Sequence, residues 1–239
     1  SIIAASQPVG SAAASGARYV VGTSLAYQAK YLATDWTGDL TASTLNADGT
    51  LAVPPVWSAS APFGAMSFDE STRNIYTSQP SGTPPTFSGV PFTSAGLTTA
   101  MKSQVMTGLD TTIYNIDDVM KYLRGDGTKE TSHVPPGPYR SRTTKIGDIL
   151  DSNPTVQFRI GYGYQNLPGS VNGLSTGAST YAAFVAGKAD DPTVYVGAND
   201  GMLHAFDGGP SGGNELFAYV PNAVLSKLGR LAQPSYAHT

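Results

Sequence analysis

Cysteine is absent from the 239 residues, which removes disulfide staples, thiolate-bound zinc and thiol catalysis together and leaves the compartment undecided on this criterion. Charge is also scarce: Lys, Arg, Asp and Glu make up 13% of the chain, about half the usual share, and the formal net charge is −3. The 14 basic residues form no cluster beyond isolated pairs such as Arg140 and Arg142, so no surface tracks phosphates and nucleic acid is excluded as a partner. No apolar run approaches the ~20 residues of a membrane-spanning helix. The three histidines, His133, His204 and His238, show no His-x-x-x-His spacing, and no Gly-x-Ser-x-Gly elbow is present. Metal-dependent and serine-hydrolase chemistry therefore find no motif to start from.

What is present is turn-forming and aromatic. The chain has 27 Gly, 17 Pro and 13 Tyr beside abundant Ser and Thr, and its 40% apolar content is enough for a core. This is the composition of a turn-rich β protein working outside the cytoplasm. The first residues lack an initiator Met and a basic leader, and Pro234 to Thr239 stops in polar sequence without a closing strand. Both ends read as those of a piece of a longer protein.

Thr193-Val-Tyr-Val-Gly-Ala-Asn-Asp-Gly-Met-Leu-His-Ala-Phe-Asp207 places two apolar runs around Asn199, Asp200 and Gly201, and Glu215-Leu-Phe-Ala-Tyr-Val220 adds a third after a Gly-rich loop. Asp-Gly between β-rich runs predicts a tight hairpin, here of type I′. Strand, turn, strand, loop, strand is the layout of a propeller blade. The segment Ala29 to Leu45 repeats it weakly, with Gly38 over Gly201, Leu40 over Leu203 and Ala42 over Ala205. A second Asp-Gly turn at Asp48-Gly49 leads on to Val56-Trp57, where the later copy has Leu216 to Tyr219. A third copy is expected to begin at Arg73-Asn-Ile-Tyr-Thr77.

Around these copies lie other elements. Residues 1–17, rich in Ala, Ser and Gly, read as a linker or N-terminal arm, with an edge strand on a neighbouring domain as the alternative. Apolar residues at 116, 119, 120 and 123 after Asn115 predict a capped helix ending at Gly125, with Asp117 and Asp118 in its first turn and Arg124 in its last. Pro221 to Gly229 predicts a second short helix stopping at Gly229. Both are expected as insertions on a β scaffold.

Few constellations could carry chemistry. His204 lies within the blade hairpin, where a bond to a neighbouring backbone carbonyl is the simplest reading and a metal ligand or base the alternative. Asn46-Ala-Asp48-Gly49 resembles a clipped calcium loop but lacks the closing acidic ligand, so a hairpin turn is the better account; Asp126 to Glu130 and Asp190-Asp191 are similarly incomplete. No metal ligand set is assigned within the chain. Arg124-Gly125-Asp126 is an integrin-type tripeptide at a helix exit, read as receptor-binding or simply as a helix end followed by a turn. In Arg140-Ser-Arg-Thr-Thr-Lys-Ile-Gly-Asp-Ile-Leu-Asp-Ser-Asn-Pro154, charges precede an apolar strand, and pairing of Arg and Lys with Asp148 and Asp151 would pin a loop across the propeller.

The blade at 194–207 with Glu215 to Pro221, Tyr122-Leu-Arg-Gly-Asp126 with Glu130, Ile146 to Pro154, and Pro234-Ser-Tyr-Ala-His238 resemble, in order and spacing, the C-terminal propeller of the PilC/PilY-type type IV pilus tip-associated adhesins. The resemblance runs from about residue 18 to 239. It implies an all-β, modified β-propeller with quinoprotein-like blades and short helical insertions, of which residues 18–239 supply roughly the first half of seven blades. It also implies a non-enzymatic component of the pilus tip that sits with minor pilins, supports assembly against retraction, and serves surface adhesion and twitching motility. The expected location is extracellular, at the pilus tip or outer cell surface. Partners implied are minor pilins, host-cell receptors and the remainder of its own propeller, which would cover exposed sheet edges. Such proteins carry a calcium loop that is not found in this chain.

Two other readings stand beside it. A quinoprotein-type dehydrogenase shares the Asp-Gly-x-Leu-x-Ala-x-Asp flavour of residues 200–207, but 2 Trp and no Cys depart from that enzyme's docking motifs and vicinal disulfide. A structural extracellular scaffold unrelated to pili is the third.

Overall fold

The computed structural model describes residues 9–14, 25–63, 70–150, 152–171, 174–175, 178–188 and 192–237. Two sheets carry the fold. The first is an antiparallel meander of β1 (Val9–Ala14), β2 (Leu25–Leu32), β3 (Thr37–Thr44) and the two-residue β4 (Trp57–Ser58). β2 alternates, with Tyr27 and Ala29 buried between less buried Ala26, Gln28 and Lys30, which is the period-2 pattern of a strand with one face on a core. β1 pairs with β2 from Val9↔Leu32 to Ala14↔Tyr27. The linker expected over residues 1–17 thus becomes, in this part, the edge strand of the first blade, because ladder hydrogen bonds to β2 outweigh the weak strand preference of Gly, Ser and Ala.

α1 (Ser60–Phe63) follows β4. The second sheet then joins distant parts of the chain. β5 (Ile75–Ser81) and β6 (Thr86–Pro91) form a hairpin; β7 (Thr155–Gln157), β10 (Thr193–Gly197), β11 (Leu203–Asp207) and β12 (Glu215–Val220) form an antiparallel blade, and β5 adds to β12 in parallel. Arg73 to Thr77 therefore does not open a blade of its own: its strand extends the outer edge of the later one. The small hairpin of β8 (Ser170–Val171) and β9 (Leu174–Ser175) and helix α4 (Ala178–Ala186) lie between β7 and β10.

Helices fill the space outside the sheets. α2 (Thr99–Val105), not foreseen in the sequence, is capped by the Thr98 hydroxyl accepting from Met101 N–H at 3.3 Å. α3 (Ile116–Arg124) has the expected caps, with the Asn115 side-chain oxygen accepting from Asp118 N–H at 2.9 Å and Gly125 at φ 120°. α5 (Leu225–Leu228) differs from expectation: Gly229 does not end it but continues into a 3₁₀ turn, Gly229–Ala232. A Cβ on Gly229 would run into the Val105 carbonyl, so this glycine serves close helix approach rather than a stop.

Two buried clusters result. In one, Ile75, Ala218 and Val220 pack against Met101, Val105, Val119, Leu123, Leu225 and Leu228 of the helices. In the other, Tyr27, Ala29, Leu40, Ala42 and Trp57 of the first blade meet Val194, Val196 and Phe206 of the second, with Ile146 and Ile149 between. The blades are thus packed face to face, as in a propeller. Among the described residues, no helix is long and apolar enough to cross a membrane.

Candidate functional site

The β10–β11 turn organises the most polar part of the interior. Ala198 N–H donates to the Met202 carbonyl and Gly201 N–H to the Ala198 carbonyl, with Gly201 at φ +85°. Trp36 is the one non-glycine with positive φ among the described residues, so Asp200 is not left-handed. The expected type I′ turn is instead a three-residue loop, a type I turn closed by a left-handed glycine. Asn46 to Thr50 has the same hydrogen bonds with Gly49 at +83°, so the two Asp-Gly turns share one geometry. This geometry frees the aspartate carboxylate to fold back. Asp200 Oδ1 accepts from Met202 N–H at 3.0 Å, and Oδ2 lies 3.1 Å from His204 Nε2.

A bulge supplies the partner on the other side. Ala205 pairs with Phe217, but Phe206 pairs with Glu215, so one extra residue sits in β12. Without it Glu215 would share the face of Phe217 and Tyr219; with it Glu215 turns inward beside His204. Glu215 Oε1 is 2.7 Å from His204 Nδ1. Both ring nitrogens therefore face carboxylates, and both must donate, which makes His204 an imidazolium. Burial would lower its pKa, but the Asp200 and Glu215 carboxylates overcome this and hold it up at about 9. Burial would likewise raise Glu215, yet hydrogen bonds from His204 and Arg73 pull it down to about 2. The backbone-carbonyl bond expected for His204 is replaced by this pair of charges.

Arg73 completes the row. Its Nε and Nη2 donate to the two Glu215 oxygens, both at 2.6 Å, and its Nη1 donates to the Arg124 carbonyl at 2.8 Å. Arg124 answers by donating to the Arg73 carbonyl at 2.8 Å and to the Glu70 and Phe92 carbonyls. The integrin-type tripeptide is placed accordingly: Arg124 is 6% exposed with its guanidinium turned into the fold, Gly125 is the helix cap, and the half-buried Asp126 accepts from Thr128.

A strap crosses between the blades at the same point. Residues 144–149 form no regular strand, contrary to expectation, yet Gly38 N–H donates to the Ile146 carbonyl and Gly147 N–H to Asp200 Oδ2. Asn199 donates from its backbone to the Asp148 carbonyl and from its side chain to the Asp148 carboxylate. The sequence motifs 146–154 and 199–201 are therefore one structural node. Of the two expected carboxylate partners, Asp148 is buried and accepts from the Asn199 side chain, and Asp151 lies outside the described residues. Arg142 Nε and Lys145 Nζ both donate to buried Glu130 at 2.9 Å, and the Arg142 guanidinium stacks 3.7 Å over Tyr122. Arg140 donates to the Leu231 and Asp35 carbonyls. Glu130 is 3% exposed, and the Arg142 and Lys145 cations offset the desolvation of its carboxylate.

The crevice lined by Tyr122, Arg140, Arg142, Lys145, Gly147 and Asp200 holds about 10 Å³, the room of one water and far below a substrate pocket. The acidic loops do not fit calcium either. Asp48 accepts from Thr50 N–H and hydroxyl, Asp126 from Thr128, and Glu130 from two cations; no three potential ligands converge among the described residues. Asp190-Asp191 and His238 lie outside those residues, and exposed His133 sits at a turn. Sequence reasoning missed Arg73 and Glu215. The available signal was a charged residue opening each of two apolar strands in a chain poor in charge.

With this geometry in view, the comparisons with known proteins are specific. Residues 146–232 match the PilY1 beta-propeller domain. The chain is 32% identical over 259 residues to a type IV pilus biogenesis factor PilY1 homolog of Xylella fastidiosa, covering 95% of this chain and 17% of that protein. It is 35% identical over 221 residues to the type IV pilus biogenesis factor PilY1 of Pseudomonas aeruginosa strain PAK, covering 90% of this chain and 18% of that protein. The chain thus spans about a sixth of the length of the curated relatives it matches. No solved structure matches it.

Proposed function

The chain is a member of the PilY1 β-propeller family, and from that premise we propose that it serves type IV pilus biogenesis as a non-enzymatic blade module. The observation that carries the reading is similarity along nearly the whole chain to proteins named for that role. The interior geometry supports the non-enzymatic part. His204, the residue best suited to acid–base work, is wholly buried with both nitrogens donating to carboxylates, so it has no lone pair to accept a proton and no access to a substrate.

Within this reading the protein acts outside the cell at the pilus tip, contacts minor pilins, and favours pilus assembly over retraction, with adhesion and twitching motility as consequences. Adhesion is assigned to surfaces other than Arg124-Gly125-Asp126, whose arginine faces inward. Calcium control, implied by the resemblance, is assigned to sequence beyond the acidic loops described above.

The test is deletion of the gene in its own organism, with counts of surface pili by electron microscopy and measurement of twitching zones. The expected result is few pili and lost motility, restored by the wild-type gene, with tip labelling by antibody against this segment. Normal pilus number and motility in the deletion strain would overturn the proposal.

A further inference from the structure

The connection from β7 to β10 has a composition unlike the rest of the chain. From Ser152 to Ala189 the sequence has no Asp or Glu and two cations, Arg159 and Lys188, in a chain whose formal net charge is −3. Its helix α4 reads Ala-Ser-Thr-Tyr-Ala-Ala-Phe-Val-Ala and carries no charged side chain. A helix that is apolar all round is ordinarily buried. Of the described side chains of α4, Tyr181 and Val185, one turn apart, are partly covered, while Thr180, Ala182, Ala183, Phe184 and Ala186 are exposed.

The covered side rests on the 3₁₀ turn Tyr164–Asn166. The Tyr181 hydroxyl accepts from Tyr162 N–H at 2.9 Å, and its ring meets that of Tyr164 edge-on with centroids 5.2 Å apart. Arg159 donates from Nε and Nη2 to the Val185 and Ala186 carbonyls, and Lys188 Nζ donates to the Phe158 carbonyl while lying 5.8 Å over the Phe184 ring. Both cations are thereby held at the C-terminal end of α4, the end whose dipole favours them. On the other side Phe184 is 61% exposed, with Tyr164 at 54%, Tyr162 at 50% and Leu167 at 47%. Four large side chains exposed on one short insertion exceed the single apolar residues scattered over a solvated surface.

We propose that this insertion docks on an anionic lipid surface, with the exposed face of α4 set into the bilayer interface. Such a surface selects for apolar depth, for cations at headgroup level and against carboxylates. Phe184 and the alanines of α4 supply the first, Arg159 and Lys188 the second, and the acid-free stretch from Ser152 to Ala189 the third. Tyr162 and Tyr164 add rings with a polar tip, the kind that settles at a membrane–water boundary. A glycan would instead need hydrogen-bonding groups on the docking face, and among the exposed described residues of α4 the one polar side chain is Thr180. With 9 residues α4 is too short to span a bilayer, so it lies along the surface. The inference goes beyond the pilus reading and stands without it.

The test is sedimentation of the full-length protein with unilamellar vesicles, either of phosphatidylcholine alone or of phosphatidylcholine mixed with phosphatidylglycerol. The expected result is binding to the anionic vesicles that weakens as salt is added. Phe184→Ser, at an exposed position, and Lys188→Glu are each expected to lower that binding by about tenfold while leaving the circular dichroism native. Binding unchanged in either variant would place the lipid contact elsewhere in the protein and overturn the proposal. Equal binding to the neutral vesicles would do the same, because the cations would then have no part in it. A protein that stays in the supernatant with both kinds of vesicle would also overturn it and assign the exposed face of α4 to a protein surface.

Discussion

At the scale of single residues, the buried charges set a pH dependence whose sign can be worked out. His204 has an ordinary pKa of 6.5 and is held at about 9 in the fold, where burial is overcome by Asp200 and Glu215. A group raised on folding contributes stability that is complete below 6.5 and lost as pH climbs through 9. Glu215 moves the other way, from 4.5 to about 2, so its contribution is complete above 4.5 and lost as pH falls toward 2. Asp200 is lowered in the same sense. The unfolding free energy is therefore expected to be highest between pH 4.5 and 6.5 and to fall by on the order of 3 kcal/mol toward pH 9. Urea unfolding across pH measures it. In a His204→Gln variant the decline above pH 6.5 should vanish, and an unchanged slope in that variant would show that another group is responsible.

At the scale of elements, the decisive contacts are close backbone approaches at the strap. A Cβ on Gly147 would collide with the Asp200 backbone, and one on Gly38 with the Gly147 carbonyl. Gly147→Ala is therefore expected to push the strap away from the β10–β11 turn and cost about 1–3 kcal/mol, the usual range for overpacking. Hydrogen exchange should show lost protection at the amides of Gly147 and Asn199, whose acceptors lie across that contact; full protection in the variant would refute the account. Elements of this kind divide into those legible in the sequence and those not. α3 was legible because Asn115, the apolar spacing and Gly125 all act within a dozen residues. The β10–β11 hairpin was legible for the same reason, although its turn type depended on whether Asp200 is left-handed, which Asp-Gly alone does not decide. The ion row was not legible. Arg73 and Glu215 are 142 residues apart, and they meet through a parallel pairing of β5 with β12 and a bulge that reverses the face of Glu215. No local pattern encodes either event. α2 was missed because its helical run, Thr99 to Val105, has only Met101 and Val105 buried and no charge pattern at its start.

At the scale of the whole molecule, the two blades are joined by side chains that reach from one sheet into the loop of the other. The Tyr27 hydroxyl donates to the Gly208 carbonyl at 2.7 Å and Trp57 Nε1–H to the Gly209 carbonyl at 2.8 Å, with the two rings 5.8 Å apart. Gly213, at φ +92°, lets the β11–β12 loop lie against the Trp57 ring. Both carbonyls belong to one short loop, so losing either donor disturbs the acceptor of the other. Trp57→Phe and Tyr27→Phe are each expected to cost about 1–3 kcal/mol, because a buried carbonyl is left without its donor. Their combined cost should fall short of the sum, since the first loss already loosens the shared loop. Strict additivity would mean that the two bonds act independently. The same coupling bears on cooperativity: with Ile146 and Ile149 wedged between the sheets, the amides of β2 and β3 should lose protection together with those of β10 and β11 in denaturant. Two separated transitions, one per blade, would show that the contact between sheets is too weak to make the pair a folding unit, and a single transition that divides only in the Tyr27→Phe, Trp57→Phe double variant would locate the coupling in these two donors.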